Sequence, residues 1–392
     1  MNPPEVRAAA DEPLSPPAIS AHGDVVQRVD PLADDGWDRS LAAVPSHTFF
    51  HGAAWARVLR ETYGFHPVYF TLSRNPSVSG ARLLLNEKPA SPASLPLHHP
   101  LEFHALLPVM EVNSWLTGRR GVSLPFTDEC APLCTDADSF GRLFREVLEY
   151  SRARAWNYLE CRGGKPWFGN APASTSFYGH KLDLEAGEIA LWARVGGAVR
   201  RAVRKAEQSG LTVEFSQDLD AVRIFFRLLC RTRKRHGLPV QPFRFFESIH
   251  HNVLSQDQGW VVLARHGRMP VAGAVFFHFG KTAIYKFGAS NETFQHLRAN
   301  NFVMWEAIKW HAQRGFGVLD FGRTSLENEG LRRFKLGWGT QERRIDYFRY
   351  DQRKAAFATA RDGASGWHNC IFRMLPASVS RLIGAASYRH VA

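Results

Sequence analysis

The sequence of residues 300–339 predicts a helix, a buried strand, a polar loop and a cationic turn in immediate succession. They read NNFVMWEAIKWHAQRGFGVLDFGRTSLENEGLRRFKLGWG. Asn300 or Asn301 is predicted to cap the helix, because an asparagine side chain can accept a hydrogen bond from an unpaired N–H of the first turn. Gly315 fits the left-handed residue that follows a helix. The apolar run 316–321 before Gly322 predicts a buried strand that ends at a polar edge.

Polar residues at the end of this strand form the first candidate site. Asp320 and Arg323 are predicted to lie at or just past its carboxyl end, which is where ligands bind in open α/β sheets. Asp320, or Glu327 in the loop that follows, can accept a proton from an attacking amine. The alternative is that a lone carboxylate here only pairs with Arg323.

The charge of the chain is divided unevenly. Residues 1–189 hold 17 Lys and Arg against 22 Asp and Glu, a formal charge of −5, whereas residues 190–392 hold 32 against 15, a formal charge of +17. This asymmetry predicts a polyanionic partner for the second half: nucleic acid, a phosphorylated cofactor, a lipid-linked pyrophosphate or an anionic membrane surface. The alternative is a solubilising surface without a specific partner.

Composition narrows the class of protein. The 392 residues are 45% hydrophobic and 22% charged, which is typical of a globular protein with room for two domains. No apolar run approaches about 18 residues, so no transmembrane helix is predicted. The Pro-rich and acidic N-terminus does not fit a signal peptide, so a cytoplasmic location is expected. The five cysteines lack metal-type spacing, so we expect them to be reduced and no metal to be bound.

Hydrophobic periodicity predicts the order of the remaining elements. Helices are predicted at 46–64, 139–153, 191–210 and 220–235, and strands at 66–72, 106–115, 121–125, 156–161, 212–215, 259–264, 271–279, 281–288 and 344–350, with a loop at 88–96. Consecutive antiparallel strands, then a helix and another strand, indicate an α+β fold with a mixed sheet. In the helix at 191–210, Arg200, Arg201, Arg204 and Lys205 lie opposite the apolar face, where they can bind a phosphate backbone or be solvated.

The order strand–strand–strand–helix–strand over residues 212–323, ending in LDFGRTSLENEGLRRFKLGWG, resembles the second half of the Fem-type and BioF2-like branch of the GNAT acyltransferase superfamily. The first half, with FFHGAAWARVLRETYG and GVSLPFTDECAPLC, resembles the degenerate partner domain of that branch. The resemblance implies tandem GNAT-like domains, each a mixed, largely antiparallel sheet flanked by helices. The expected divisions are a disordered segment at 1–24, a degenerate domain at 25–185, a second domain with the active site at 186–350, and a basic amphipathic tail at 351–392.

The resemblance also implies a functional lysine at Lys335, in a turn beside Phe334. In acyl transfer, negative charge develops on the carbonyl oxygen or the leaving group, and a cation fixed in an apolar wall stabilises it better than a hydrated one. Phe334, Leu336 and Trp338 are expected to hold the stem of Lys335. The alternative is a lysine that packs its stem and extends its ammonium group to water.

Donor-binding residues are predicted around the start of the helix at 300. Acetyl-CoA-binding GNAT domains carry R/Q-x-x-G-x-G/A there, whereas this chain has HLRANNFVMWEA, with Arg298 but without the glycines. This departure disfavours CoA and gives weight to an aminoacyl donor, although Asn300, Asn301 and the helix N-terminus still favour an anion. Tyr285, on the strand where GNAT domains split, completes the donor site with Phe334; a strand tyrosine can equally be a packing residue.

Acceptor or polyanion binding is predicted for His236 and Gln241 in the sequence RKRHGLPVQP, for Arg323 and for the basic helix. The tail at 366–392 alternates apolar residues with arginines, so it can be an interfacial amphipathic helix or dock on the core of the chain.

Together these features predict an acyl- or aminoacyltransferase that modifies an amine of a cell-envelope or exopolysaccharide precursor. Its co-substrate would be acyl-CoA or aminoacyl-tRNA, with no bound cofactor, and its acceptor an amine-bearing glycan or lipid-linked precursor. The protein is expected in the cytoplasm, with the option of peripheral contact to the inner face of the membrane. The rival prediction is a non-catalytic GNAT-like module that binds nucleic acid or an anionic membrane with its basic half.

Overall fold

A computed structural model describes residues 24–74, 102–359 and 387–390 of the chain. Almost all of the N-terminal segment predicted to be disordered lies outside these residues, as do the loop predicted at 88–96 and most of the C-terminal tail.

Both halves of the described chain contain strands and helices. The strands are β1 (Asp24–Val29), β2 (His66–Pro67), β3 (Tyr69–Arg74), β4 (Ala105–Leu107), β5 (Met110–Ser114), β6 (Gly118–Val122), β7 (Tyr158–Arg162), β8 (Thr175–Asp183), β9 (Leu211–Ser216), β10 (Gly259–His266), β11 (Met269–Phe279), β12 (Thr282–Ser290), β13 (Val318–Ser325), β14 (Gln341–Asp351) and β15 (Ala356–Phe357). The helices are α1 (Trp37–Ala42), α2 (Ala53–Tyr63), α3 (Ala137–Ala153), α4 (Gly187–Arg194), α5 (Gly197–Gln208), α6 (Leu219–His236), α7 (Phe243–Asn252), α8 (Ala299–Gln313) and α9 (Glu329–Leu336).

The strands assemble into one small and one large sheet. β1, β3 and β4 form an antiparallel sheet, and the other described strands form a single sheet in the order β2-β5-β6-β7-β14-β8-β13-β12-β11-β10-β9, with β15 added to β14. Within the large sheet, β6 with β7 and β12 with β13 are parallel, and the other pairs are antiparallel. The predicted fold class, a mixed and largely antiparallel sheet flanked by helices, is confirmed.

The two halves exchange strands. β14 comes late in the chain but pairs with β7, where Tyr347 is opposite Arg162, and on its other side with β8. β8 precedes the predicted division at 185/186, yet it lies between β14 and β13. The halves are therefore joined by backbone hydrogen bonds through the centre of one sheet.

Helices cover both faces of the large sheet. One apolar core lies under α2, α6 and α7 and includes Trp55 and Phe245, both 0% exposed. The other lies under α4, α5 and α8 and includes Val203, Ile308 and Trp338. Burial of these large side chains on both faces is the main stabilising contribution to the fold.

The start of α8 differs from the prediction. Arg298, with φ of +60°, occupies the N-cap position, and its carbonyl accepts a hydrogen bond from the Asn301 N–H at 2.9 Å. A 3-10 helix at Glu292–Leu297 runs directly into α8 through this left-handed residue, so Asn300 and Asn301 lie inside the first turn. The predicted asparagine cap was therefore wrong. The predicted left-handed glycine at the other end is confirmed, since Gly315 has φ of +76°.

The strand after α8 also differs. β13 starts at Val318 and continues to Ser325, past the predicted end at Gly322. Gly322, with φ of +68°, lies in an irregularity where the pairing with β8 shifts between Asp320 and Arg323. The glycine therefore bends the strand without ending it, and the prediction that Asp320 and Arg323 lie at or past the strand end was wrong.

Several further features of the helices were not predicted. The helix predicted at 191–210 is two helices, because Gly196 between α4 and α5 has an extended backbone with ψ of 144°. The predicted turn that carries Lys335 is the helix α9, whose N-terminus is capped by Asn328 through the Leu331 N–H at 3.0 Å. The helix α7 was missed altogether.

Two buried histidines couple this fold to pH. His51 accepts the Thr48 N–H at its Nδ1 (3.1 Å) and donates from Nε2 to the Ala131 carbonyl (2.9 Å), so it is neutral. His311 donates from Nδ1 to the Ala307 carbonyl at 2.7 Å. Burial lowers the pKa of each imidazole to about 4. Protonation of either ring would place a charge in the core.

Acid is therefore expected to destabilise the protein between pH 6.5 and 4. The unfolded chain binds these two protons near pH 6.5, and the folded chain only near pH 4. The stabilisation is complete above pH 6.5 and is lost as the pH falls, by about 3 kcal/mol per histidine at pH 4. Urea unfolding at pH 7, 5.5 and 4.5 measures it. His311→Phe should reduce the loss, whereas His296→Phe at an exposed position should not; equal losses in all three proteins would contradict the assignment.

Candidate active site

The large sheet opens between β12 and β13. These parallel strands pair only where Thr282–Ile284 meet Val318–Asp320. Beyond Ile284, β12 stays with β11 and β13 stays with β8. Each strand has an irregularity at the opening. Lys286 is left out of the pairing of β12 with β11, and Phe321 and Gly322 are left out of the pairing of β13 with β8. At this opening, the facing edges of these two central strands are therefore not paired with each other.

Lys335 reaches the opening from α9. Its Nζ donates to the carbonyl oxygens of Gly322 (2.9 Å) and Arg323 (3.0 Å), at the bend of β13. The residue is 2% exposed, and burial lowers its pKa to about 8, although the nearby carboxylates of Asp128 and Asp320 oppose that change. A protonated Lys335 therefore keeps one N–H for another partner, since an ammonium group has three.

An ion pair flanks the same opening. Lys286 Nζ lies 2.8 Å from Asp128 Oδ2, with side chains 7% and 20% exposed. The ammonium group is 5.1 Å from the centre of the Phe50 ring. Burial lowers the pKa of Lys286, and Asp128 opposes this change. Burial would raise the pKa of Asp128, but Lys286 and Arg323 outweigh it and hold it below its ordinary value. Asp128 is therefore a carboxylate near neutral pH.

Gly322 makes room for this carboxylate. A Cβ at position 322 would lie 3.1 Å from the carboxyl carbon of Asp128, and the positive φ also favours glycine. The bend of β13 and the position of Asp128 therefore depend on the same residue.

The loop that carries Asp128 is fixed on both sides. Leu124 and Phe126 have φ of 49° and 60°, which non-glycine residues seldom adopt, and Thr127 Oγ1 donates to the Leu124 carbonyl at 2.7 Å. Tyr347 donates its hydroxyl to the Asp128 carbonyl at 2.7 Å. The Tyr347 oxygen in turn accepts a hydrogen bond from Arg323 Nη1 at 2.7 Å.

The predicted catalytic residues are only partly brought together. Asp320 Oδ1 accepts the Gly322 N–H at 2.7 Å, and burial raises its pKa, opposed first by Lys181 across the pairing with β8. Arg323 does not pair with Asp320; it bonds to Tyr347. Glu327 is exposed in the loop before α9. Lys335, Asp320 and Arg323 therefore share one neighbourhood, and Glu327 faces solvent.

The predicted donor residues surround two neighbouring cavities at the start of α8. Tyr285, Asn300, Phe334 and His236 line a cavity of about 250 Å³, which adjoins the opening. Arg298, Asn300 and Asn301 line a second cavity of about 240 Å³. Burial raises the pKa of Tyr285 to about 12, so its hydroxyl is a donor at neutral pH. His236, predicted on the acceptor side, lies with the donor residues.

The remaining predicted residues lie outside these cavities. Arg200 is half-buried, and Arg201, Arg204 and Lys205 are exposed on α5. Arg204 lies 6.0 Å from the centre of the Trp192 ring. Gln241 is buried at 6% exposure before α7.

Asp128 and Lys286 were not singled out by the sequence analysis. A signal for Lys286 was available, since a lysine inside the apolar strand sequence TAIYKFG has to find a buried anion. No local pattern identifies that anion, because Asp128 is 158 positions away.

A model of the GNAT acetyltransferase domain matches residues 193–349. We call residues 193–349, which match this model, the GNAT domain. The match includes α5, the opening between β12 and β13, and Lys335. A search of curated protein sequences found no match.

The GNAT domain and the preceding half together have a known fold. The crystal structure of FemX aligns with a TM-score of 0.62 at 13% identity, covering 82% of this chain and 96% of FemX. A tandem GNAT protein from the clavulanic acid biosynthesis pathway aligns at 9% identity with a TM-score of 0.48, covering 84% and 98%. L-PGS from Bacillus licheniformis aligns at 13% identity with a TM-score of 0.44, covering 71% and 86%. The FemX alignment establishes the shared fold; the other two are too distant to add to it.

Two further features are absent from residues 24–74, 102–359 and 387–390. No helix there is long and apolar enough to cross a bilayer. No three His, Cys, Asp or Glu side chains in those ranges are grouped as metal ligands.

Proposed function

We propose that the GNAT domain transfers an acyl or aminoacyl group to an amine at the opening between β12 and β13. The observation that carries the proposal is the meeting of three features at this point. The cavity lined by Tyr285 and Phe334 adjoins the opening, Lys335 is fixed at its β13 edge, and the ion pair of Asp128 and Lys286 flanks it.

The donor would enter from the side of α8. The first turn of α8 presents unpaired N–H groups and the positive end of the helix dipole, which suit a phosphate. The acyl carbonyl would then lie between the strands. β12 does not pair with β13 beyond Ile284. Backbone N–H groups on this edge of β12 can therefore donate to the acyl carbonyl oxygen as it becomes negative.

The acceptor amine would approach beside Asp128. As the C–N bond forms, the amine loses a proton to the Asp128 carboxylate. The bond from the carbonyl carbon to the donor sulfur or oxygen then breaks, and that atom keeps the electron pair and takes up the proton from Asp128 or from solvent. Lys286 and Arg323 hold the pKa of Asp128 below its ordinary value, so its side chain is a carboxylate before the reaction and has room for the proton. The third N–H of Lys335 would stabilise the developing negative charge.

We place the acceptor in a cavity that both halves build next to this loop. It has a volume of about 310 Å³ and is lined by Glu129, Lys181, Arg343 and Trp167, among others. Arg343 is ion-paired with Glu129, which follows Asp128 in the chain. An aromatic ring surrounded by charged and hydroxyl groups suits a polyhydroxylated, anionic molecule. We therefore propose an amine-bearing glycan or lipid-linked precursor of the envelope or an exopolysaccharide as the acceptor class.

The donor class can be decided by a panel of ligands. Acetyl-CoA, longer acyl-CoAs and aminoacyl-tRNAs are added to the purified protein, and the melting temperature and donor consumption with amino sugars are recorded. One class is expected to be consumed, and at 100 times its Kd it should stabilise the protein by about 2.7 kcal/mol. Phe334→Ala, in the wall of the cavity, should reduce this stabilisation, whereas Leu336→Ala, more exposed on the same helix, should not.

Indifference to every donor would overturn the proposal. The exposed cations on α5 favour a second candidate, a module that binds a polyanion without chemistry. This second candidate would be supported if the protein bound tRNA without deacylating it, and if substitution of Arg201, Arg204 and Lys205 weakened that binding.

A further inference from the structure

The hairpin between β5 and β6 holds two large apolar side chains in solvent. Trp115 is 85% exposed and Leu116 is 64% exposed. The turn is well fixed, because Ser114 Oγ accepts hydrogen bonds from the N–H groups of Leu116 (3.2 Å) and Thr117 (3.0 Å). A fixed turn that exposes tryptophan and leucine to water loses the free energy that their burial would give. Such an exposed apolar patch indicates a binding surface.

A cation follows this tip. Arg119 is exposed on β6, directly after the turn. Residues near the C-terminus are bound to the same hairpin: Ser114 Oγ and His390 Nδ1 are 2.8 Å apart, and Thr117 Oγ1 donates to the His390 carbonyl at 3.0 Å. The neighbouring Arg389 does not belong to the tip, because its side chain lines a cavity with Arg60 and Arg244. The apolar tip therefore has an exposed cation beside it, although the first half of the chain is acidic overall.

We propose that Trp115, Leu116 and Arg119 form a surface that inserts into the headgroup region of an anionic bilayer. Tryptophan is favoured at the boundary between lipid and water, because its ring is apolar and its N–H is polar. An arginine beside it is attracted to anionic headgroups. A protein partner fits less well, since two side chains on a narrow turn fall far short of the roughly 1,000 Å² that a stable protein interface buries.

The position of the hairpin connects this surface with the proposed function. β6 leads from the hairpin towards the loop that carries Asp128, and its five residues span roughly 15 Å. A lipid-linked acceptor could thus reach the opening from the bilayer surface. This connection rests on the proposed function, whereas the membrane surface itself does not.

Co-sedimentation with vesicles tests the surface. The purified chain is mixed with vesicles of phosphatidylcholine alone or with about 30% phosphatidylglycerol, whose anionic headgroups attract arginine. We expect binding to the anionic vesicles, at least a tenfold lower partition coefficient for Trp115→Ser with Leu116→Ser, and a lower one for Arg119→Glu. Leu116→Ser alone should also weaken binding, and it leaves the ring contact between Trp115 and His390 in place.

Ile189→Ser is the matched control, because Ile189 is 89% exposed on α4. It should bind vesicles like the unaltered chain, and all variants should retain its melting temperature. The proposal is overturned if the unaltered chain does not sediment with anionic vesicles, if it binds neutral vesicles equally, or if the hairpin variants bind as well as Ile189→Ser.

Discussion

Replacing Lys335 by methionine is expected to lower kcat for acyl transfer by about 100- to 1,000-fold, as does the loss of one donor to a developing oxyanion. Methionine keeps most of the apolar stem and removes the charge. The KM for the donor should change little, because Phe334, Tyr285 and Asn300 line the donor cavity, whereas Lys335 is bound to the bend of β13 and does not line it.

Steady-state kinetics with the donor identified by the panel measures this effect. Arg333→Met is the matched control, since Arg333 is exposed on the same helix. Circular dichroism and the melting temperature check that Lys335→Met is folded, because two carbonyls of β13 lose a donor. A folded Lys335→Met protein with kcat near that of Arg333→Met would assign Lys335 only to holding the bend of β13.

Removing Asp128 is expected to reduce both stability and turnover. Asp128→Ala leaves the ammonium group of Lys286 buried at 7% exposure without its carboxylate, and breaking such a pair destabilises a protein by about 3 kcal/mol. Replacing both partners, as Asp128→Ala with Lys286→Met, should recover most of that free energy, because no unpaired charge remains. Turnover should stay low in both proteins, since neither has the proton acceptor.

Urea unfolding and kinetics on the same preparations separate the two effects. The control is Asp220→Ala, which breaks an ion pair between side chains that are 84% and 48% exposed and should change the free energy of unfolding by less than about 0.5 kcal/mol. If the double variant were as unstable as Asp128→Ala, the buried charge would not explain the loss. If it regained turnover, Asp128 would not be the proton acceptor.

Local patterns predicted the elements whose causes are local. The helices α3 and α6 and the strands β10 to β12 follow from apolar periodicity and turn residues, and the structure has them within a few residues of the prediction. The end of β13 could not be predicted in this way. Gly322 acts as a bend there and not as a terminus because β8, from the other half, pairs with β13 on both sides of it.

The candidate site was also predicted only in part from the sequence. The resemblance identified Lys335, and its apolar neighbours predicted a shielded cation, but its partners are carbonyls of a bulge that only the folded sheet creates. Asp128 and Lys286 come from different halves, and their pairing depends on packing between elements far apart in the chain. Sequence periodicity carries no signal about such a pair.

The position of β14 has a consequence for how this protein is made. β7 and β8 are synthesised early, but each is completed by pairing with β14, near the end of the chain. While the ribosome is still translating the second half, both strands present unpaired edges, which are templates for aggregation. We expect the nascent first half to need protection by chaperones, and the last step of folding to be slow, because it joins segments of high sequence separation.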